Sequence, residues 1–128
     1  SCLDVLRNND VDVDNAVDRL MGTDNLYLEF IKRLPEELHL ATIREALVQQ
    51  DADSFHFHLH NLKGFAINLG ITEIADAAQA GLTEFRASQF RNVTKLEGLL
   101  EEIEALGEKF ASALGEIEEI EHAGEETE

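Results

Sequence analysis

The sequence predicts an all-α protein, an up-and-down antiparallel four-helix bundle with a short additional N-terminal helix, on three observations. The chain has a single proline among 128 residues and is dominated by Leu, Ala and Glu, all strong helix formers. Its apolar residues recur at spacings of three and four, with no two-residue alternation of the kind a strand needs and no convincing internal repeat. Its length suits one helical core but not two.

Each element follows from local pattern. Residues 13–21 form a short amphipathic segment with Val13, Val17 and Leu20 on one side, Asp12 as N-cap and Gly22 as stop. A second helix starts after Thr23-Asp24 and runs to about Val48. It uses Tyr27, Phe30 and Leu34 first and Leu40, Ile43 and Leu47 afterwards, and Pro35 marks a kink or short break where the two registers fail to join. Asp51 or Asp53 caps the third helix, whose apolar side is Phe55, Leu59, Leu62, Ala66 and Leu69, and Gly70 is its natural C′ residue. The fourth, from about Thr72 to Ala87, buries Ile74, Ala78, Gly81, Leu82 and Phe85, small enough for close packing on the third. The fifth carries a continuous seam of Leu96, Leu99, Ile103, Leu106, Phe110, Ala113, Ile117 and Ile120. It is longer than its neighbours, so Ile117 and Ile120 either need a partner or lie where the helix frays into the acidic tail. The chain reads as a single domain over 1–128, with a core at about 10–115 and an acidic C-terminal tail at 122–128.

Charge narrows the function classes. Ten Lys and Arg against 27 Asp and Glu give a formal charge of −17. Such a surface repels nucleic acid and anionic lipid and favours partners with basic patches. No apolar run is long enough for a membrane span, and no signal-peptide pattern opens the chain. Cys2, the single cysteine, has no partner for an internal disulfide, and a reducing cytoplasm fits. Because the chain opens on Ser1 rather than methionine, a trimmed chain or a domain excised from a longer protein is expected. No Gly-rich phosphate loop, paired-carboxylate motif or Ser-His-Asp arrangement is visible, so ATP binding and self-phosphorylation are not expected.

The most informative stretch is His60-Asn-Leu-Lys-Gly-Phe-Ala-Ile-Asn-Leu-Gly70. At about 100° per residue, Lys63 and Gly64 flank His60 within one helical turn. The core direction falls on the far side, near Phe55, Leu62 and Leu69, so His60 is expected to be exposed. An exposed imidazole is largely unprotonated at neutral pH and keeps a nitrogen lone pair for a phosphoryl group. Lys63 can balance charge on the phosphoryl oxygens. A glycine inside a helix costs about 1 kcal/mol relative to alanine, which points to close approach of another surface at Gly64.

This stretch resembles the signature of the histidine-containing phosphotransfer (HPt) family at His60, Lys63, Gly64, Ala66, Asn68, Leu69 and Gly70. The likeness extends upstream through Asp12-Val13-Asp14-Asn15-Ala16, Arg19-Leu20-Met21-Gly22, Tyr27, Phe30 and Asp51, covering roughly residues 10 to 110. It implies a phosphorelay intermediate that takes a phosphoryl group from a receiver-domain aspartate onto His60 and passes it to another receiver. The partners it implies are response-regulator receiver domains, and a hybrid sensor histidine kinase is possible. It implies no cofactor of the chain's own, since Mg²⁺ comes with the receiver, and a phosphocarrier rather than a kinase. Phe57, Ile67, His56 and Asn61, with Gly64, are candidates for the contact surface. Phe57 and Ile67 can equally be read as isolated surface hydrophobes.

Two departures from the family keep alternatives open. Phe65 replaces the usual small residue after Gly64 and is expected on the flank of the core. Leu82 stands where many members place a Gln or Glu to orient the histidine, with Glu84 or Gln79 as possible substitutes. A relative that docks receivers without carrying phosphate is therefore one alternative. Another is a helical metal-binding bundle using His56 and His60, whose four-residue spacing suits a metal ion but lacks further visible ligands. His58 is expected half-buried, and His39 and His122 on the surface.

Overall fold

The computed structural model describes residues 1–20 and 22–127; Met21 of the upstream pattern and Glu128 of the tail lie outside them. Among the described residues the chain is all-helical, with no strand. The helices are α1 (Cys2–Asn8), α2 (Val13–Arg19), α3 (Asp24–Ile31), α4 (Leu34–Glu37), α5 (Leu40–Gln49), α6 (Ala52–Asn68), α7 (Thr72–Ser88) and α8 (Val93–Thr127). Helices α5, α6, α7 and α8 close the bundle, each packing on the next and α8 returning to α5. At one end of the bundle α1 lies on α8 and on α2, and α4 also rests on α8.

Several boundaries form where local chemistry requires them. The Asp12 carboxylate accepts the Asn15 N–H, and the Asp51 carboxylate accepts the Ser54 N–H at 3.1 Å, starting α2 and α6. The end of α6 is a Schellman motif: Gly70 sits at φ +73°, its N–H donates to the Ile67 carbonyl, and the Ile71 N–H donates to that of Ala66. The expected apolar side of α6 is buried at every position, and so is that of α7. Gly81 lies directly against Leu59, where a Cβ would come within 2.9 Å of Leu59 Cδ2, so α6 and α7 approach closely.

Three features differ from the sequence reading. The helix expected from after Thr23-Asp24 to about Val48, with one kink or short break at Pro35, is divided twice, into α3, α4 and α5. Pro35 lies in the first turn of α4, where its missing N–H costs nothing, and His39 at φ 49° turns the chain into α5. On α8, Leu99 and Leu106 are only half-buried and Ile120 is exposed, while Leu100 and Leu114 are buried. This helix packs on more than one neighbour, so its buried arc is wider than a single seam. Finally, α8 stays helical to Thr127 instead of fraying at 122. Its overhang is covered by α1, which the reading missed: Leu6 and Ile117 are both fully buried, and Cys2 Sγ lies 3.9 Å from the Ile117 carbonyl. Lys32, at the C-cap of α3, adds an ion pair to Glu121 at 2.6 Å.

Tyr27 joins α3 to the end of α6. Its hydroxyl donates to the Leu69 carbonyl at 2.7 Å, inside the core. Burial, with a smaller contribution from the Asp12 charge, pushes the phenol well above its ordinary range. The folded protein therefore holds this proton to higher pH than the unfolded chain. That contribution is complete below about pH 10 and declines as pH rises beyond it. Tyr27→Phe leaves a buried carbonyl unpaired and is expected to cost about 1–3 kcal/mol at pH 7. The gap from wild type should narrow above pH 10 in urea titrations, and a gap independent of pH would contradict this role.

Candidate functional site

Helix α6 carries the candidate site, and its C-terminal end is clamped by the preceding helices. The Arg19 guanidinium donates to the Ile67 carbonyl at 2.6 Å, and the Asp12 N–H donates to that of Gly70 at 2.9 Å. With the Tyr27 bond to Leu69, three exposed or buried carbonyls at the negative end of the helix dipole gain donors. Arg19, Asp12 and Tyr27 belong to the upstream pattern, but their role as anchors of α6 was not legible there. Each bond spans more than 40 residues of chain, beyond any local spacing.

The outward face of α6 brings the candidate residues together. His60, His56, Asn61, Phe57 and Ile67 are exposed, with Phe57 at 59% and Ile67 at 40%; Lys63 and Gly64 are half-buried. The His56 and His60 rings stack, their centroids 5.7 Å apart and their planes 7° from parallel. Beyond its chain neighbours and the backbone of its own helix, no atom lies within 4 Å of the position a Cβ would take at Gly64, so this glycine does not pack against another helix. Among the described residues no carboxylate pairs with Lys63. Its ammonium is thus not neutralised, and the chain carries no Asp or Glu between Asp53 and Glu73.

That geometry makes Gly64→Gln informative. The fold has room for the side chain, and replacing a helical glycine is expected to stabilise the helix by about 0.5–1 kcal/mol. Affinity for a partner that approaches the α6 face should fall at least about tenfold, measured by titration. Unchanged affinity would remove the close-approach argument.

The flank formed by α7 supplies no orienting side chain to His60. Leu82 is buried at 3% exposure. Glu84 pairs with Lys95 at 3.2 Å, and the Gln79 amide donates to the Thr83 hydroxyl at 3.0 Å, so both proposed substitutes are engaged elsewhere and neither bonds the imidazole. Among the described residues His60 has no side-chain hydrogen bond, and its ring neighbour is His56.

The remaining expectations fall as follows. Phe65 is half-buried on the flank of the core, packed against it. His58 is half-buried with its ring 5.7 Å from that of His39, which is exposed but does more than decorate the surface, since its left-handed backbone opens α5. His122 is exposed. Among the described residues no three His, Cys, Asp or Glu side chains converge as a metal-binding group, and no helix is long and apolar enough to cross a membrane.

Comparison with known proteins agrees with this geometry. Searches of the curated proteins and of the solved structures return no match. The model of the Hpt domain family matches residues 26–109, a span that contains the whole outward face of α6. Hpt domains are the histidine phosphotransfer modules of phosphorelays; they interact with receiver domains and kinases, and they are phosphocarriers, not kinases. Because the matched span is more than half of a chain that folds as an all-helical bundle, this protein belongs to the Hpt domain family.

Proposed function

We propose that residues 1–128 act as one cytoplasmic Hpt domain in which His60 accepts a phosphoryl group from the aspartyl phosphate of a response-regulator receiver and returns it to another receiver's aspartate. A ring nitrogen of His60 attacks phosphorus in line; the P–N bond forms as the bond to the aspartate oxygen breaks, and the carboxylate leaves. The reverse sequence, with a second receiver, empties the site. One observation carries the reading: an exposed imidazole stands beside an open glycine and a lysine with no carboxylate partner among the described residues. Lys63 supplies positive charge to the phosphoryl oxygens, and Gly64 lets the receiver approach. Phe57, Ile67, His56 and Asn61 form the contact surface. Mg²⁺ belongs to the receiver, and the chain carries no cofactor and no ATP-dependent activity of its own. A hybrid sensor histidine kinase is one source of such a receiver.

The test is incubation with a receiver phosphorylated on its aspartate, with Mg²⁺ present, followed by intact-mass and acid-lability analysis. An acid-labile phosphate on the chain supports relay. Lys63→Ala is expected to slow transfer about 10- to 100-fold while weakening docking much less, because its charge acts chiefly on the transition state. Equal losses of rate and affinity would contradict that assignment.

A second reading, docking of receivers without phosphate transfer, draws on the absence of an orienting side chain from α7, with Leu82 buried and Glu84 and Gln79 engaged elsewhere. Receiver binding without any label on His60 would favour it.

A further inference from the structure

Beside the outward face of α6 lies a groove of about 220 Å³ between that helix and the α2–α4 segment. Leu20, Phe30 and Phe65 form its apolar walls, and Asn68, Arg33 and Glu37 supply its polar lining. The Arg33 guanidinium lies 5.9 Å from the centre of the Phe30 ring and pairs with Glu37 at 3.1 Å. Phe65 is the position at which this chain departs from the small residue usual after Gly64, and that departure builds one wall. Asn68 is one turn beyond Gly64 and adjacent to Ile67, so the groove continues the exposed strip without a gap.

We propose that this groove is the partner-selectivity pocket of the domain, and that it takes one large aliphatic or aromatic side chain from the docking receiver, flanked by a carboxylate that meets Arg33. This inference depends on the relay reading above and adds to it the feature by which one receiver is preferred over another. Size favours a side chain over a metabolite, since small-molecule sites ordinarily enclose about 300–1,000 Å³. Charge favours an acidic partner. Although the chain carries −17 overall, Arg19 and Lys63 border the same face with no carboxylate partner among the described residues, and Arg33 stands next to them with only one of its two terminal nitrogens taken by Glu37. A second copy of so acidic a chain is the weaker fit. An apolar anchor in a pocket with a charged rim is how a few residues dominate an interface.

The experiment titrates wild type, Phe65→Ser and Arg33→Glu against a panel of receiver domains from the host's own response regulators. Each receiver is held in its phosphorylated form by beryllofluoride and Mg²⁺. In parallel, His60 is loaded chemically with phosphoramidate, a donor that needs no docking surface, and helicity is read by circular dichroism. Each variant is expected to lose about tenfold in affinity for the receiver that wild type binds best and much less for the weak binders, so that the preference among receivers shrinks. Loading by phosphoramidate should be unchanged. Arg33 is exposed, so Arg33→Glu remains decisive if Phe65→Ser perturbs the core. If wild type relays phosphate but both variants bind every receiver as wild type does, the pocket is not a selectivity element. If wild type itself binds no receiver and accepts no phosphoryl group from one, the relay reading fails and the pocket loses its proposed occupant with it.

Discussion

His60→Gln is expected to abolish phosphoryl acceptance while leaving the fold and its stability almost untouched. Glutamine keeps a polar side chain of similar reach, but its amide nitrogen has no available lone pair for attack on phosphorus. His60 is exposed, its ring neighbour is His56, and no side-chain hydrogen bond is lost on replacement. Substitutions at such surface positions ordinarily change stability by no more than about 0.5 kcal/mol. The measurement is intact mass after exposure to a phosphorylated receiver with Mg²⁺, beside a urea titration. Complete loss of label with an unchanged unfolding midpoint assigns the acceptor. Label persisting on the variant would move the site, with His56 the first place to look because it shares the same exposed face one turn away.

Gly70→Ala is expected to cause the largest loss of stability, about 3 kcal/mol or more. The residue adopts φ +73°, and an alanine Cβ there would sit 2.3 Å from the Asp12 carbonyl oxygen and 2.9 Å from its carbon. Both are backbone atoms, which cannot swing aside as a side-chain tip does. Relief therefore requires displacing the start of α2 and breaking the Asp12 N–H bond to the Gly70 carbonyl. The strained backbone adds of order 1 kcal/mol to that steric cost. Since the same segment carries Arg19 to the Ile67 carbonyl, the change should also loosen the end of α6 and weaken receiver docking. A shift of less than about 1 kcal/mol in urea unfolding would show that α2 is not seated on α6 through this contact.

Legibility in the sequence tracks the range of the interaction involved. The cap at Asp51, the buried side of α6 from Phe55 to Leu69 and the stop at Gly70 depend on neighbours three to five residues away, and helical spacing encodes them directly. The exposure of His60 follows from the same spacing, because the core direction and the outward face are two sides of one wheel. By contrast, α1 was not read: a seven-residue helix has little stability of its own, and its Leu6 is buried where the segment packs on α8 near Ile117. The division of residues 24–49 among three helices depends on how α4 meets α8, and Pro35 alone announced a break without fixing its shape.

The sequence by itself determined the helical class, the buried sides of α6 and α7 and the resemblance to the family, since periodicity and side-chain chemistry are local properties. Only the tertiary structure decided that Glu84 and Gln79 are committed away from His60, that Arg19, Asp12 and Tyr27 hold the end of α6, and that Phe65 meets Phe30 across a groove. The physical reason is that these outcomes depend on which of several chemically possible partners packing brings within reach. That choice is made by the burial of the whole core and not by any one segment of it.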